Sequence, residues 1–241
     1  MQRDLDAFAA KPFDLAIIGG GVIGAAMARD GARRGMKVAL VEREDFACAA
    51  SEAMSHLIHG GMRYLAQGQL SQVFQSLAER AIWRRIAPAH VAPQPFLMPL
   101  INKGAVSQAS LSAGTRLFDW LGGNGWGRRL SAAQAIAAEP ALELPGLQGA
   151  FAYCDCRLDR PERLVLAMLG DAVAHGAVVA NHCEAIRLAV NSAGHELILL
   201  DRLTDREHVL RTKMVANVTG PWAAKLAGKL IPGQKCAVFR G

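Results

Sequence analysis

Residues 15–24 read Leu15-Ala16-Ile17-Ile18-Gly19-Gly20-Gly21-Val22-Ile23-Gly24, an apolar run that closes on a G-x-G-x-x-G. Four consecutive apolar residues ending in glycines are the pattern of a strand buried on both faces. Gly24 to Arg34 is alanine-rich and predicts a helix, stopped by Gly35. Val38-Ala39-Leu40-Val41 is a second buried strand. Strand, helix and strand within about 30 residues make a βαβ unit. In that setting the three motif glycines do different things. Gly19 permits the tight turn, Gly21 lets a pyrophosphate approach the backbone, and Gly24 lets the helix pack on the strand. The phosphates would meet unpaired N–H groups and the positive end of the helix dipole. Glu42 ends the second strand, 18 residues past Gly24, where a carboxylate can accept both ribose hydroxyls. It would also repel a 2′-phosphate, which disfavours NADP. The motif by itself does not separate NAD from FAD.

Composition narrows the setting. The chain has 241 residues, 51% of them hydrophobic and 20% charged, which excludes disorder and allows one large or two modest domains. Five cysteines, an odd number, with no secretory start point to a reducing cytoplasm rather than a disulfide scaffold. Residues 61–130 carry 8 basic against 2 acidic side chains, so the net charge of +6 sits in the middle third. That excess suits an anionic small molecule or a membrane surface, and equally a solvated basic face. The basic residues are not interleaved with base-stacking aromatics, so nucleic acid is not an expected partner. The longest uncharged stretch, Ile86 to Asn102, is broken by four prolines and cannot be a spanning helix. Cys154 and Cys156 stand too close for the usual zinc spacing, and no metal site is expected.

Beyond the βαβ unit, the apolar spacing predicts a helix over about 69–87 with Leu70, Val73, Phe74, Leu77 and Ala81 on its buried face. A proline-rich stretch leads to a strand, Phe96 to Ile101. Asp159 can cap a helix that runs to His175 and stops at Gly176. Ile186–Val190, Glu196–Leu203, His208–Arg211 and Met214–Val218 follow as short strands, the last broken by Thr219-Gly220-Pro221. Residues 1–12 look like a plain lead-in, and the four tryptophans are assigned to packing.

The segment after the second strand is what a plain Rossmann domain lacks. Residues 51–64 read Ser-Glu-Ala-Met-Ser-His-Leu-Ile-His-Gly-Gly-Met-Arg-Tyr, a polar loop ending in His59-Gly60-Gly61 and then Arg63-Tyr64. Adjacent glycines let backbone approach a flat ligand closely. With Leu57 to Leu65, Tyr153-x-Asp155 and Asn217-Val218-Thr219-Gly220-Pro221-Trp222, the chain resembles the FAD-dependent glycerol-3-phosphate dehydrogenases of the D-amino-acid-oxidase-like flavoprotein group. The resemblance covers most of residues 13–222 and is looser at about 103–148.

The resemblance implies an α/β, Rossmann-like FAD-binding domain with a parallel central sheet and a β-meander, plus a partial α+β cap. Its expected boundaries are 13–87 and 149–222 for the FAD-binding parts, 88–148 for the cap, and 223–241 for the start of a truncated cap segment. The implied reaction oxidises sn-glycerol 3-phosphate to dihydroxyacetone phosphate, hydride passing to FAD and electrons then to a membrane quinone. Gly19, Gly21, Gly24 and Glu42 would hold the ADP half of FAD. Ser51, Leu57, His59, Gly60 and Gly61 would line the flavin, and Thr219 and Gly220 would approach it after a returning strand. Arg63 and Tyr64 would face the substrate phosphate, for which the planar guanidinium is suited. His59 is either a general base or a structural contact to flavin or backbone. Tyr153 and Asp155 are expected to order the start of the helix after residue 159. Glu52, Met54 and His56 depart from the Ser, Ser and Lys common in the family, which places a less positive field near the flavin. A cytoplasmic protein, peripheral on the inner face of the plasma membrane and compatible with a homodimer, is expected. The family fold needs roughly twice this length, so exposed apolar surface and little turnover are expected of the chain alone. Two rival readings stay open: another flavin oxidoreductase of the group acting on a hydroxy or amino acid, and a non-catalytic flavin-binding fragment.

Overall fold

The computed structural model describes residues 3–61, 64, 67–101, 127–192 and 194–231. The chain forms two compact units, Met1–Met54 with Arg160–Gly241, and Ser55–Asp159. The compact units meet at 54/55 and 159/160. The reason is a single long strand, Leu147–Leu158, which organises the second unit and draws its neighbours in sequence into that sheet.

The first unit is built on β1 (Phe13–Ile18), β2 (Val38–Val41), β7 (Val178–Ala180), β8 (Cys183–Asn191), β9 (Gly194–Asp201) and β10 (Arg206–Asn217). They form one sheet in the order β7-β2-β1-β10-β9-β8. The β7-β2-β1-β10 part is parallel and β10-β9-β8 is an antiparallel meander, the expected fold class. Ile17, Val38, Ala39 and Leu40 are fully buried, as continuous apolar strands of a parallel sheet must be. His208–Arg211 and Met214–Val218 are not two strands. They are parts of β10, whose first half pairs antiparallel with β9 and whose second half pairs parallel with β1.

Helix α2 (Val22–Arg33) follows β1 directly and buries a face of small residues, Gly24, Ala25, Ala28, Gly31 and Ala32. It packs against α5 (Pro161–Ala174), which buries Leu164, Val165, Met168, Leu169 and Ala172. Arg29 and Arg33 of α2 both reach Asp171 of α5, at 2.6 and 3.1 Å. Asp159 does not cap α5; its carboxylate pairs with Arg157 at 2.6 Å, and Pro161 opens the helix instead. The lead-in is also more than a tail. Helix α1 (Ala7–Ala10) buries Phe8 edge-on against Phe13, and Arg3 ion-pairs with the buried Asp201 while donating to the carbonyl of Asn181 at 2.9 Å.

In the second unit β6 (Leu147–Leu158) is central. β4 (Val91–Ile101) lies on one side, and β3 (Leu57–Ile58) and β5 (Arg128–Ser131) pair with it as well. β4 begins earlier than Phe96 and absorbs the prolines. Pro93, Pro95 and Pro99 share one parity, so all three missing N–H groups fall on the side away from β6, where an edge strand needs no donor. Helix α3 (Leu70–Ile86) buries Val73, Leu77 and Arg80. Leu70 and Phe74, expected inside, form with Ile82 and Ile86 an exposed ridge. The buried face is rotated because Arg80, a charged residue, belongs to the core. Helix α4 (Ala132–Ala138) opens with a Ser131/Gln134 capping box, and α6 (Ala223–Leu230) closes the described chain.

Candidate cofactor site

The turn between β1 and α2 has no room for side chains. Gly19 has φ +119°, and a Cβ there would meet the Val218 carbonyl oxygen at 2.8 Å. At Gly24 a Cβ would stand 1.9 Å from the Gly19 oxygen. At Gly21 a Cβ would meet Ser51 Oγ at 2.8 Å. Ser51 is buried, and its hydroxyl accepts the Val22 N–H at 2.9 Å. The space at Gly21 thus also admits the side chain that satisfies the first helical amide.

Glu42, at the end of β2, accepts the Gly20 N–H at 2.7 Å through Oε2 and the Glu44 N–H at 2.9 Å through Oε1. Each oxygen keeps a second lone pair, so the carboxylate both braces the glycine turn and can still take ribose hydroxyls. After β10 the chain turns on Asn217. Its Oδ1 accepts the Thr219 hydroxyl at 2.7 Å, and its Nδ2 donates to the Ala223 carbonyl at 2.8 Å.

These elements enclose a cavity of about 900 Å³ lined by Gly19, Gly21, Glu42, Ser51, Thr219 and Gly220, with Gly24 packed beneath it. That volume is of the size ligand sites take. Met54, Trp222 and Lys225 line it too. Trp222, assigned to packing by sequence, is half exposed on this wall. Lys225 belongs to no motif; its one signal in the sequence is a Lys225/Lys229 pair one helical turn apart on α6, just after the Gly220 turn. Lys229 is engaged by Glu184 at 3.0 Å. Cys183 also borders the cavity, and burial pushes its thiol up to about 12. Cys48 is raised by burial and by Glu42 and its acidic neighbours, including Glu52. Both shifts disfavour the thiolate at neutral pH. The side-chain-free cradle at Gly19 and Gly24, the helix N-terminus and the cavity suit a dinucleotide pyrophosphate.

The second unit holds the other sequence-selected residues. Leu57 and Ile58 pair with Arg157 and Cys156 of β6, and the ladder stops there. His59 is exposed, its ring edge-on to Tyr64 with centroids 6.0 Å apart. Tyr64 packs with Tyr153 on Val73 and Leu77. Gly61 has φ +85°, and a Cβ would meet Tyr64 Cδ2 at 3.0 Å. Arg63 lies outside the described residues. Tyr153 stacks on Phe96 with centroids 5.5 Å apart, and burial, then the Asp155 charge, raises its phenol above the usual value. Asp155 does not order the start of α5. It is buried, pairs with Arg80 at 2.9 Å and accepts the Gly60 N–H at 2.8 Å. Among the described residues no group of three or more His, Cys, Asp or Glu could hold a metal. No described helix is long and apolar enough to cross a membrane.

The family model "FAD dependent oxidoreductase" (DAO) matches residues 14–241. The aerobic glycerol-3-phosphate dehydrogenase of Bacillus subtilis (strain 168) is 36% identical over 235 residues, 95% of this chain and 42% of that protein. That of Staphylococcus aureus (strain USA300) is 36% identical over 215 residues, 87% of this chain and 38% of its own length. The chain thus spans about two-fifths of these relatives. The crystal structure of the Bacillus halodurans glycerol-3-phosphate dehydrogenase complexed with FAD superposes with a TM-score of 0.73 at 29% identity, over 93% of this chain and 38% of that one. L-proline dehydrogenase from P. horikoshii, at 16% identity and TM-score 0.72, shares the fold. With its glycine turn, its mixed sheet and a family match that runs nearly end to end, the chain belongs to the FAD-dependent oxidoreductase (DAO) family.

Proposed function

We propose that this chain is the FAD-binding portion of an FAD-dependent glycerol-3-phosphate dehydrogenase, which oxidises sn-glycerol 3-phosphate to dihydroxyacetone phosphate. The observation that carries this reading is the identity of 36% with the B. subtilis dehydrogenase over 95% of the chain, a span that includes both the glycine turn and His59-Gly60-Gly61. When bound, FAD supplies the hydride acceptor. The protein's part is to bind and orient. Gly19, Gly21 and Gly24 give the pyrophosphate backbone access, Glu42 takes the ribose hydroxyls, and Ser51, Thr219 and Gly220 complete that wall. Leu57, His59, Gly60 and Gly61 face the flavin, and Arg63 with Tyr64 takes the substrate phosphate. Electron delivery to a quinone, contact with a membrane surface on the cytoplasmic side and a homodimer belong to the same reading. The basic excess in residues 61–130 supports the anionic substrate and the membrane surface, because phosphate and anionic lipid both favour it.

Titration of the purified chain with FAD, followed by flavin fluorescence, tests the cofactor site; saturable quenching is expected, and none at millimolar FAD overturns the reading. Dye reduction by the chain joined to the remaining portion of such a dehydrogenase tests the substrate. Turnover with glycerol 3-phosphate but not with 2-hydroxyglutarate or glycine is expected, and the reverse selects another oxidoreductase of the family.

A further inference from the structure

The second unit contains a buried ion pair that the proposed chemistry does not use. Arg80 and Asp155 have side chains 3% and 5% exposed, and Val73 and Leu77 on the same helix and Cys154 and Cys156 on the same strand are buried as well. A buried pair of this kind is costly to desolvate and is often replaceable by apolar residues at no loss of stability. Something other than packing must explain the geometry. One carboxylate oxygen carries both contacts: Oδ1 accepts the Gly60 N–H at 2.8 Å and Arg80 Nη1 at 2.9 Å, while the same Nη1 donates to the Cys154 carbonyl at 3.1 Å.

The β3–β6 register explains why that matters. Ile58 pairs with Cys156, which sets His59 opposite Asp155. Where the next rungs of backbone ladder would come, the Asp155 side chain takes the Gly60 amide instead and ends the strand. On the other side Gly61, at φ +85°, is hemmed by Tyr64 and by Ser76 Oγ, 3.3 Å from where a Cβ would stand. His59 is thus held between a clamped peptide and the Tyr64 ring.

We infer that Asp155 is the positioning residue of the His59–Gly60–Gly61 segment: locked in place by Arg80, it fixes the Gly60 peptide and with it the presentation of His59 to the cofactor. The cofactor part of this rests on the reading above, that the segment faces flavin. Arg80 supplies the lock, since a buried carboxylate held by a fixed guanidinium has one orientation to offer.

Two double variants of the full chain separate the clamp from the ion pair. Arg80→Met with Asp155→Asn removes both charges and keeps an oxygen acceptor for Gly60. Arg80→Met with Asp155→Leu removes both charges and the acceptor; Arg80→Met with Asp155→Ala stands in for it if the leucine variant fails to fold. The readouts are amide hydrogen exchange at Gly60 and the dissociation constant for FAD. The asparagine variant, which keeps the acceptor but loses the Arg80 lock, should fall between wild type and the acceptor-free variant in both readouts. In the acceptor-free variant Gly60 exchange should accelerate on the order of ten- to a hundredfold, the span of one hydrogen bond to a charged group, and FAD binding should weaken about tenfold or more. Equal Gly60 exchange in the two variants would overturn the clamp. Unequal exchange with equal FAD affinity would overturn its role toward the cofactor. If the wild-type chain takes up no FAD while the exchange rates still differ, the clamp stands and the flavin reading falls.

Discussion

Gly24→Ala and Gly170→Ala make the same chemical change inside two helices of the first unit, and the structure requires opposite outcomes. Gly170 lies in the interior of α5, and an added Cβ would find no atom within 4 Å. Alanine there gains about 0.8–1 kcal/mol of helix propensity, much of it by restricting the unfolded chain. At Gly24 the new Cβ would stand 1.9 Å from the Gly19 oxygen and 3.3 Å from Val218 Cγ2. Ordinary contact begins at 3.4 Å, so the turn and helix must part by about 1.5 Å, and both are backbone. Overpacking of this kind costs about 1–3 kcal/mol or more, which exceeds the helix gain. Urea unfolding followed by circular dichroism measures both. With a slope of about 1–3 kcal/mol per molar, Gly170→Ala should raise the midpoint by roughly half a molar. Gly24→Ala should lower the midpoint by a similar or larger amount. FAD binding should be unchanged in the first and at least about tenfold weaker in the second. Midpoints that move in the same direction, or wild-type FAD affinity in Gly24→Ala, would refute the reasoning.

Arg3→Ala should cost about 2 kcal/mol, because it strips the charge partner from buried Asp201. The hydrogen bonds from Arg3 hold the Asp201 carboxyl well below the usual carboxylate range. The stability Arg3 contributes is therefore complete above the unfolded carboxyl value of about pH 4 and is lost as pH falls below it; urea midpoints at pH 7 and pH 3 should show the variant's deficit shrinking. Iodoacetamide at pH 8 should modify Cys48 before Cys154, Cys156 and Cys183, which are buried, and mass spectrometry should find Cys48 protected by saturating FAD because it borders the same cavity. Phe74→Lys with Ile82→Glu changes residues 53% and 38% exposed on α3. Stability should move by no more than about 0.5 kcal/mol, while soluble yield rises as the apolar ridge is broken.

Much of the first unit is legible because its strands are buried on both faces. Leu15–Ile18 and Val38–Val41 are uninterrupted apolar runs, and no other local structure explains them next to Gly19 and Gly35. The differences share a cause: a residue whose role is set by a distant partner. Arg80 lies on the inward face of α3 and pairs with Asp155, 75 positions later, so spacing rules that count apolar residues favour Leu70 and Phe74 instead. Asp155 in turn serves Gly60, 95 positions earlier, which no local pattern announces. The prolines of β4 delay the start of the strand expected from sequence. They are tolerated within it because they recur on one parity of an edge strand. Around the cavity, Gly19, Gly24 and Glu42 are visible as a motif, whereas Trp222 and Lys225 depend on where the chain turns after β10.

That β10 serves both the meander and the parallel layer has a consequence for timing. Phe13 of β1 pairs with Thr212, about 200 residues later in the chain. At roughly 5–20 residues per second a ribosome needs on the order of 10–40 s to bridge that gap. Until then β1 has β2 on one edge and nothing to close the other, while β4 and β6, far nearer in sequence, can already join. An apolar parallel edge left open that long is a target for chaperones or for misassembly. The yield of folded chain is therefore set less by its final stability than by how well that edge is sheltered during synthesis.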